Sequence, residues 1–120
     1  MATREELREA LDDYISQARK SERVTRSLRK WNCVIYIEAT DIEAGFTMTI
    51  NNGTTTLING AQGSADLIVR GSSEDLANLF WCDANPASHY MQGALTIQGS
   101  SENVMRLDSM SLLIYLEATK

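Results

Sequence analysis

The sequence predicts an α/β fold of the α+β kind, a five-stranded sheet with helices over one of its faces. Three observations predict it. Between Trp31 and Ile58, apolar and polar residues alternate in runs separated by turns, the pattern of strands with one buried face. Helical periodicity instead marks both ends of the chain, each opening on a capping residue. Finally, the stretch from Asn85 to Gly99 packs a helix start, a helix stop, a strand and a second stop into little space.

The elements follow in order. Thr3 and Glu6 make a capping box, and Leu7, Ala10, Leu11, Tyr14, Ile15 and Ala18 recur at helical spacing. That gives an amphipathic helix of about four turns with Glu5, Glu9, Asp12 and Asp13 on its wet side. A basic segment runs from Arg19 to Lys30. If it is helical, Arg19, Arg23, Arg26 and Lys30 share one stripe, while Val24 and Leu28 share another. Trp31, Cys33, Ile35 and Ile37 alternate with Asn32, Val34, Tyr36 and Glu38 to give a first strand. After a polar turn from Thr40 to Gly45, Phe46, Met48 and Ile50 alternate with Thr47 and Thr49, the cleanest strand in the chain. Asn51-Asn52-Gly53 signals a hairpin, because Asn and Gly tolerate the positive φ such turns require. Thr54 to Ile58 returns as a weakly patterned, Thr-rich strand, and Asn59 to Ser64 is a loop. A fourth strand covers Ala65 to Arg70, with Ala65, Leu67 and Val69 on one face.

Ser72 and Asp75 then form a capping box that starts a helix. Asn85 caps a short helix whose first position is Pro86, with φ preset and no N–H to satisfy. Gly93 offers the left-handed residue that ends it. Leu95 and Ile97 alternate with Thr96 and Gln98 as a fifth strand, Gly99 closes it, and Ser100 or Ser101 caps a long C-terminal helix. The strand, the Ser72-Ser73-Glu74-Asp75-Leu76 helix start and the C-terminal helix surround a core of Asn85, Pro86, Tyr90, Met91, Gly93, Leu95, Ile97 and Gly99. In these features residues 65–116 resemble the type-2 sterol carrier protein family. They depart from its pattern at Trp81 to Ala84, where a Gly-containing approach is usual, and at Ala94, where Lys is common.

The resemblance implies a largely antiparallel sheet and an apolar cavity between sheet and helices. The residues supply a greasy roof on their own account. Phe80, Trp81, Tyr90, Met91, Met105, Met110, Leu112, Leu113, Ile114 and Leu116 cluster in the covering segments, and Met110 to Leu116 is apolar nearly all round its helix. Such a helix is either deeply buried as plain core, or lines a cavity, or meets a partner. With the family architecture in view, Met48, Ile50, Phe80, Trp81, Tyr90, Met91, Met105, Met110 and Leu113 are the expected lipid-lining set. Methionines suit it, since their flexible thioethers adapt to irregular apolar guests.

Composition bounds the rest. The chain of 120 residues reads as one domain, residues 1–120, with 43% apolar and 22% charged residues, ordinary for a globular protein. No apolar run approaches the roughly 20 residues a membrane span needs. The N-terminal residues lack an apolar signal core and Ala118-Thr119-Lys120 is not a peroxisomal address, so a cytoplasmic domain is expected. Cys33 lies on the buried face of a strand and Cys82 follows Trp81, which supports neither a disulfide framework nor a zinc site. A net charge of −5 argues against nucleic acid as a partner.

The charge is unevenly spread. Six of the eleven basic residues fall between Arg19 and Lys30, where Glu22 is the only acid. The run reads as a solvated helix face or as a surface for an anionic headgroup or membrane, with Arg19, Arg23 and Arg26 as the contacts.

Chemistry finds little to build on. His89 is the only histidine, and no Gly-x-Ser-x-Gly elbow supplies a nucleophile for it. The glycines form no phosphate loop, and the pairs Asp12–Asp13 and Glu74–Asp75 sit in helix turns where solvation or capping explains them. No enzyme activity, metal or cofactor is expected. The reading is non-enzymatic binding and transfer or presentation of one apolar lipid: a fatty acid, acyl thioester, sterol or isoprenoid-like molecule. The alternative is an accessory module that holds a lipid-like intermediate for a partner enzyme, or docks to it. A homodimer is a further expectation for the apolar C-terminal helix.

Overall fold

In a computed structural model, residues 2–61, 63–81 and 95–118 are described. Helix α1 spans Arg4–Lys20 and α2 spans Glu22–Ser27. Strands β1 (Asn32–Ala39), β2 (Ala44–Asn51), β3 (Thr54–Asn59) and β4 (Leu67–Gly71) follow, then α3 (Ser73–Phe80), β5 (Leu95–Gly99) and α4 (Ser101–Ala118). The short helix expected after Pro86 lies outside the described residues.

The sheet has the order β3-β2-β1-β4-β5. Its pairings are antiparallel except where β4 runs parallel to β1, with Ile35 opposite Leu67 and Ile37 opposite Val69. The meander ends at β3, so the chain must cross back to the free side of β1, and it arrives there in the parallel sense. Asn52 and Gly53 make the hairpin turn between β2 and β3 with φ of 49° and 90°, the positive pair a two-residue turn demands.

Alternation decides which face is covered. Cys33, Ile35, Ile37 and Ala39 of β1 are buried with Ala44, Phe46, Met48 and Ile50 of β2 and Leu67 and Val69 of β4. The helices seat on these residues through Leu7, Leu11 and Tyr14 of α1, Leu76 and Phe80 of α3, and Leu107, Met110 and Ile114 of α4. The other face carries Tyr36 and a polar ladder in which Arg70 donates to Glu38 at 3.1 Å and to Gln98 at 3.1 Å.

Caps fall where the sequence puts them. Thr3 and Glu6 form the capping box of α1, Ser72 accepts from the Asp75 N–H at 3.1 Å, and Ser100 accepts from the Asn103 N–H at 3.2 Å. Three boundaries differ from expectation. Strand β2 begins at Ala44 rather than Phe46, because Gly45 pairs with Glu38 beneath the Tyr36 ring, where a Cβ would collide with the phenol. Strand β4 begins at Leu67, since Asp66 is taken up in clamping Val34 with both its backbone N–H and its carboxylate. The basic run is divided by Ser21, extended at φ −95° and ψ 114°, which closes α1 and caps α2. Arg19 therefore belongs to one helix and Arg23 and Arg26 to the next, and Lys30 sits beyond α2 at φ 65°. The single four-residue stripe does not form.

Candidate functional sites: two grooves beside the helix layer

The helix layer is tied together at its centre. The rings of Tyr14 and Phe80 meet edge to face with centroids 4.9 Å apart, and the Tyr14 hydroxyl lies 2.8 Å from Ser111 Oγ. Of the expected lipid-lining set, Met48, Ile50, Phe80 and Met110 come together in this buried core, and Trp81 and Leu113 pack half-buried against it. Met105 stands apart on the outer side of α4, 67% exposed. Tyr90 and Met91 lie outside the described residues.

Open space occurs on either side of this core. One groove, of about 420 Å³, runs between α1 and edge strand β3. Its α1 wall is Arg8, Asp12, Ile15 and Arg19, residues four, three and four apart that share one helix face. Its floor is apolar, Ile15 against Leu57, and Leu57 pairs with the buried Met48 across the sheet. Arg8 is held by Asp12 at 3.2 Å and donates to Asn59 Oδ1 at 2.6 Å. Arg19 donates to the Thr55 carbonyl at 2.7 Å, and Thr55 pairs with Ile50. A guanidinium has five N–H donors in a planar fork, so Arg19 keeps donors beyond the one Thr55 takes. Chemically, the groove is an open cleft of mixed character, with Ile15 and Leu57 between two fixed cations and with Asp12, Ser16 and Thr56 sharing the lining.

The second groove, about 410 Å³, lies between the end of α2 and α4. Leu28 and Trp31 form one wall, Met105 and Arg106 the other. The Trp31 indole N–H donates to Asn103 Oδ1 at 2.9 Å, and the Arg106 guanidinium carbon lies 6.0 Å above the indole ring. Arg23 and Arg26 are exposed on α2.

Sequence reasoning passed over Arg8, Leu57, Trp31 and Arg106. The i, i+4, i+7, i+11 spacing of Arg8, Asp12, Ile15 and Arg19 was the available signal for the first groove. Nothing in the sequence announces Leu57 or the Trp31–Arg106 stack, because both depend on which elements become neighbours.

Reactive groups are accounted for by structure. Burial, with the Asp66 charge adding to it, pushes the Cys33 thiol up to about 12, so it stays protonated and inert near neutral pH. Ser73 is fully buried, and its hydroxyl donates to Asp41 at 2.9 Å while accepting from the Ala2 N–H at 3.0 Å. Ser73 also donates its own N–H to Asp41 at 2.8 Å. Desolvation raises the Asp41 carboxyl, but the donors from Ser73 outweigh it and hold the group below its ordinary 3.8. This is a clasp for the start of α3. Among the described residues no cluster of His, Cys, Asp or Glu forms a metal site, and no helix is long and apolar enough to cross a membrane. His89 lies outside the described residues.

Comparison with known proteins gives the arrangement a context. Solved structures share the fold at low identity. A UbiJ-SCP2 ubiquinone synthesis protein superposes with a TM-score of 0.66 at 14% identity, covering 88% of each chain. The palmitated SCP2L2 of Aedes aegypti gives 0.63 at 14% identity, covering 89% of this chain and 92% of the other. The sec-alkylsulfatase Pisa1 from a Pseudomonas species gives 0.59 at 17% identity, over 72% of this chain but only 13% of the sulfatase. This chain thus corresponds to a small part of that enzyme. No curated protein sequence matches. The model of the SCP-2 sterol transfer family matches residues 11–111, from the middle of α1 to the middle of α4, and the chain belongs to that family.

Proposed function

We propose that this protein binds one apolar lipid and carries or presents it without chemical change. The family supports lipid binding or transfer in general. The observation that supports the finer reading is the α1–β3 groove, in which Ile15 and Leu57 lie between the placed guanidiniums of Arg8 and Arg19. A fatty acid suits that arrangement best, its carboxylate on the spare Arg19 donors and its chain along the floor toward Met48 and Ile50. Acyl thioesters, sterols and isoprenoid-like molecules would use the floor alone.

The energetics fit a carrier. Each methylene gains roughly 0.8 kcal/mol on leaving water, so a sixteen-carbon chain gains on the order of 10 kcal/mol before ordering costs. Against a bilayer that gain nearly cancels, because the chain is apolar in both places, and exchange becomes reversible. A charge-assisted bond to Arg19 then decides which head is preferred.

Uptake of a fluorescent fatty acid from solution tests this reading. Wild type should bind it and release it to an unlabelled competitor, while Leu57→Trp, which fills the floor from an edge strand, should bind it about tenfold more weakly, the loss expected for a few displaced methylenes. Equal binding by the folded variant would remove the groove from the reading. The second reading, an accessory module for a partner enzyme, draws support from the recurrence of this fold within the much longer sulfatase chain. Native mass spectrometry of protein drawn from its own cells separates the two, by a retained lipid or a retained protein.

A further inference from the structure

Helix α4 has two apolar faces. Its inner face, with Leu107, Met110 and Ile114, is buried in the core. Its outer face exposes Met105 (67%), Leu112 (42%) and Leu116 (44%), with the exposed Ser109 between the first two. These four positions are spaced four, three and four apart, the spacing of a seam along which one helix meets another. At 1.5 Å per residue the seam is about 16 Å long, and no charged side chain lies in it. Helix α1 shows the outer face expected when water is the neighbour, since Glu5, Glu9, Asp12 and Asp13 are all exposed there. The α4 seam also borders the α2–α4 groove, whose walls are Leu28 and Trp31 on one side and Met105 and Ser109 on the other. A hole and a knob therefore share one surface, the groove at the Met105 end and Leu116 at the far end.

We propose that α4 pairs with α4 of a second copy of this chain, antiparallel, around a two-fold axis level with Met110 and Ser111. That register sets Met105 opposite the partner's Leu116 and Ser109 opposite the partner's Leu112. Each small residue faces a large one, and every contact occurs twice, as an isologous interface requires. The partner's Leu116 comes to rest at the mouth of the groove beside Met105, and Leu116 does the same for the partner. A parallel pair would crowd Leu112 against itself and leave a void between the two Ser109 side chains. Charge agrees with the pairing. At the groove rim Arg106 reaches Glu102 at 3.8 Å and lies over Trp31, so a second helix arriving at the seam leaves neither ion without a partner. A lipid chain has no use for the alternation of small and large, and a foreign helix would need to match it, whereas a second copy carries the match by symmetry. The apolar strip covers on the order of a few hundred Å² per copy, the range in which exposed patches mark partners. That is below the roughly 800 Å² per partner of a tight complex, so the pair is reversible, with a dissociation constant on the order of tens of micromolar. Helix α4 packs against β5, at the opposite edge of the sheet from β3. The α1–β3 groove stays open in both copies, and the inference stands apart from the carrier reading.

Sedimentation velocity of the full chain, from about a tenth of that dissociation constant to about ten times it, tests the proposal. Wild type should pass from monomer to dimer over this range. Leu112→Glu, at an exposed site, should weaken association about a hundredfold or more, because the two-fold buries the new carboxylate twice. Cross-linking reads the register in a Cys82→Ser background, where Cys33 is buried. A mixture of Ser109→Cys and Leu112→Cys proteins should form a disulfide several-fold faster than either variant alone, since only the mixture brings two thiols face to face. Circular dichroism confirms that each variant is folded. Fatty-acid uptake by Leu112→Glu should match wild type, and it reports the carrier reading separately. A chain that stays monomeric over the whole range overturns the proposal, and so does a dimer that survives Leu112→Glu. Cross-links that form as fast with either cysteine variant alone overturn it as well.

Discussion

The two grooves differ by little in size, about 420 and 410 Å³, and by much in how they hold charge. Between α1 and β3 the cations are committed. Arg8 is bound to Asp12 and Asn59 and Arg19 to the Thr55 carbonyl, so each guanidinium has a fixed place above an apolar floor. Between α2 and α4, Arg106 stacks over Trp31 and reaches Glu102 at 3.8 Å, while Arg23 and Arg26 on α2 are exposed and form no ion pair with a described residue. A pre-placed cation loses little entropy on binding and can select one head from another. Free cations select nothing in particular, but their fields add over about a Debye length and suit an extended, many-charged partner. The difference originates at Ser21, which turns one basic run into two surfaces.

The core that separates the grooves is the first place to break this comparison. Phe80 is buried against Tyr14, which in turn bonds to Ser111 of α4. Phe80→Ala should cost about 3–5 kcal/mol of stability, read as a lower denaturation midpoint. It should also blur the distinction between the grooves, since α1, α3 and α4 lose their common anchor. A midpoint near wild type would mean that the helix layer is held from elsewhere.

Arg19→Gln probes the committed cation alone. Fatty-acid affinity should fall about tenfold, the worth of one charge-assisted hydrogen bond, while affinity for an uncharged sterol stays put. If fatty-acid affinity held in the folded variant, the head would have to be bound elsewhere than at Arg19.

Much of this architecture was legible in the residues. The period-2 runs, the caps at Thr3, Ser72 and Ser100, and the Asn52-Gly53 turn are local signals, and each acts within a few residues of where it is written. The limits of β2 and β4 were not legible, because they depend on Tyr36 lying over Gly45 and on Asp66 reaching Val34, contacts between strands. The same holds for the sites. Of the apolar residues expected to line a cavity, Met48, Ile50, Phe80 and Met110 fill the core, Trp81 and Leu113 lie half-buried against it, and Met105 faces out. Periodicity tells which residues share a face, but not what that face meets. The parallel pairing of β4 with β1 is similar: each strand is written locally, and their neighbourhood is set by the whole chain.

The smallest effect expected lies at the clasp that starts α3 and so orients Phe80. Asp41 accepts from both the Ser73 N–H and the Ser73 hydroxyl, and its carboxyl is held below its ordinary 3.8. A group whose folded pKa is lowered contributes stability that is present above the unfolded value and is lost as pH falls through the folded one. Wild type should therefore melt slightly higher than Asp41→Asn at neutral pH, because the amide offers one good acceptor where the carboxylate offers two. As pH falls through the lowered folded value the carboxylate protonates and the two melting curves should converge. The carboxylate is exposed, so the gap will be small, and water competes for its lone pairs. Ser73→Ala sharpens the reading: in that background the gap opened by Asp41→Asn should narrow, since the hydroxyl is gone and only the backbone N–H at that position still donates to Asp41. A gap of constant size from neutral to acid would assign the effect to packing around Ala2 and Ser73, and the carboxylate would have no part in setting the angle at which α3 leaves the sheet.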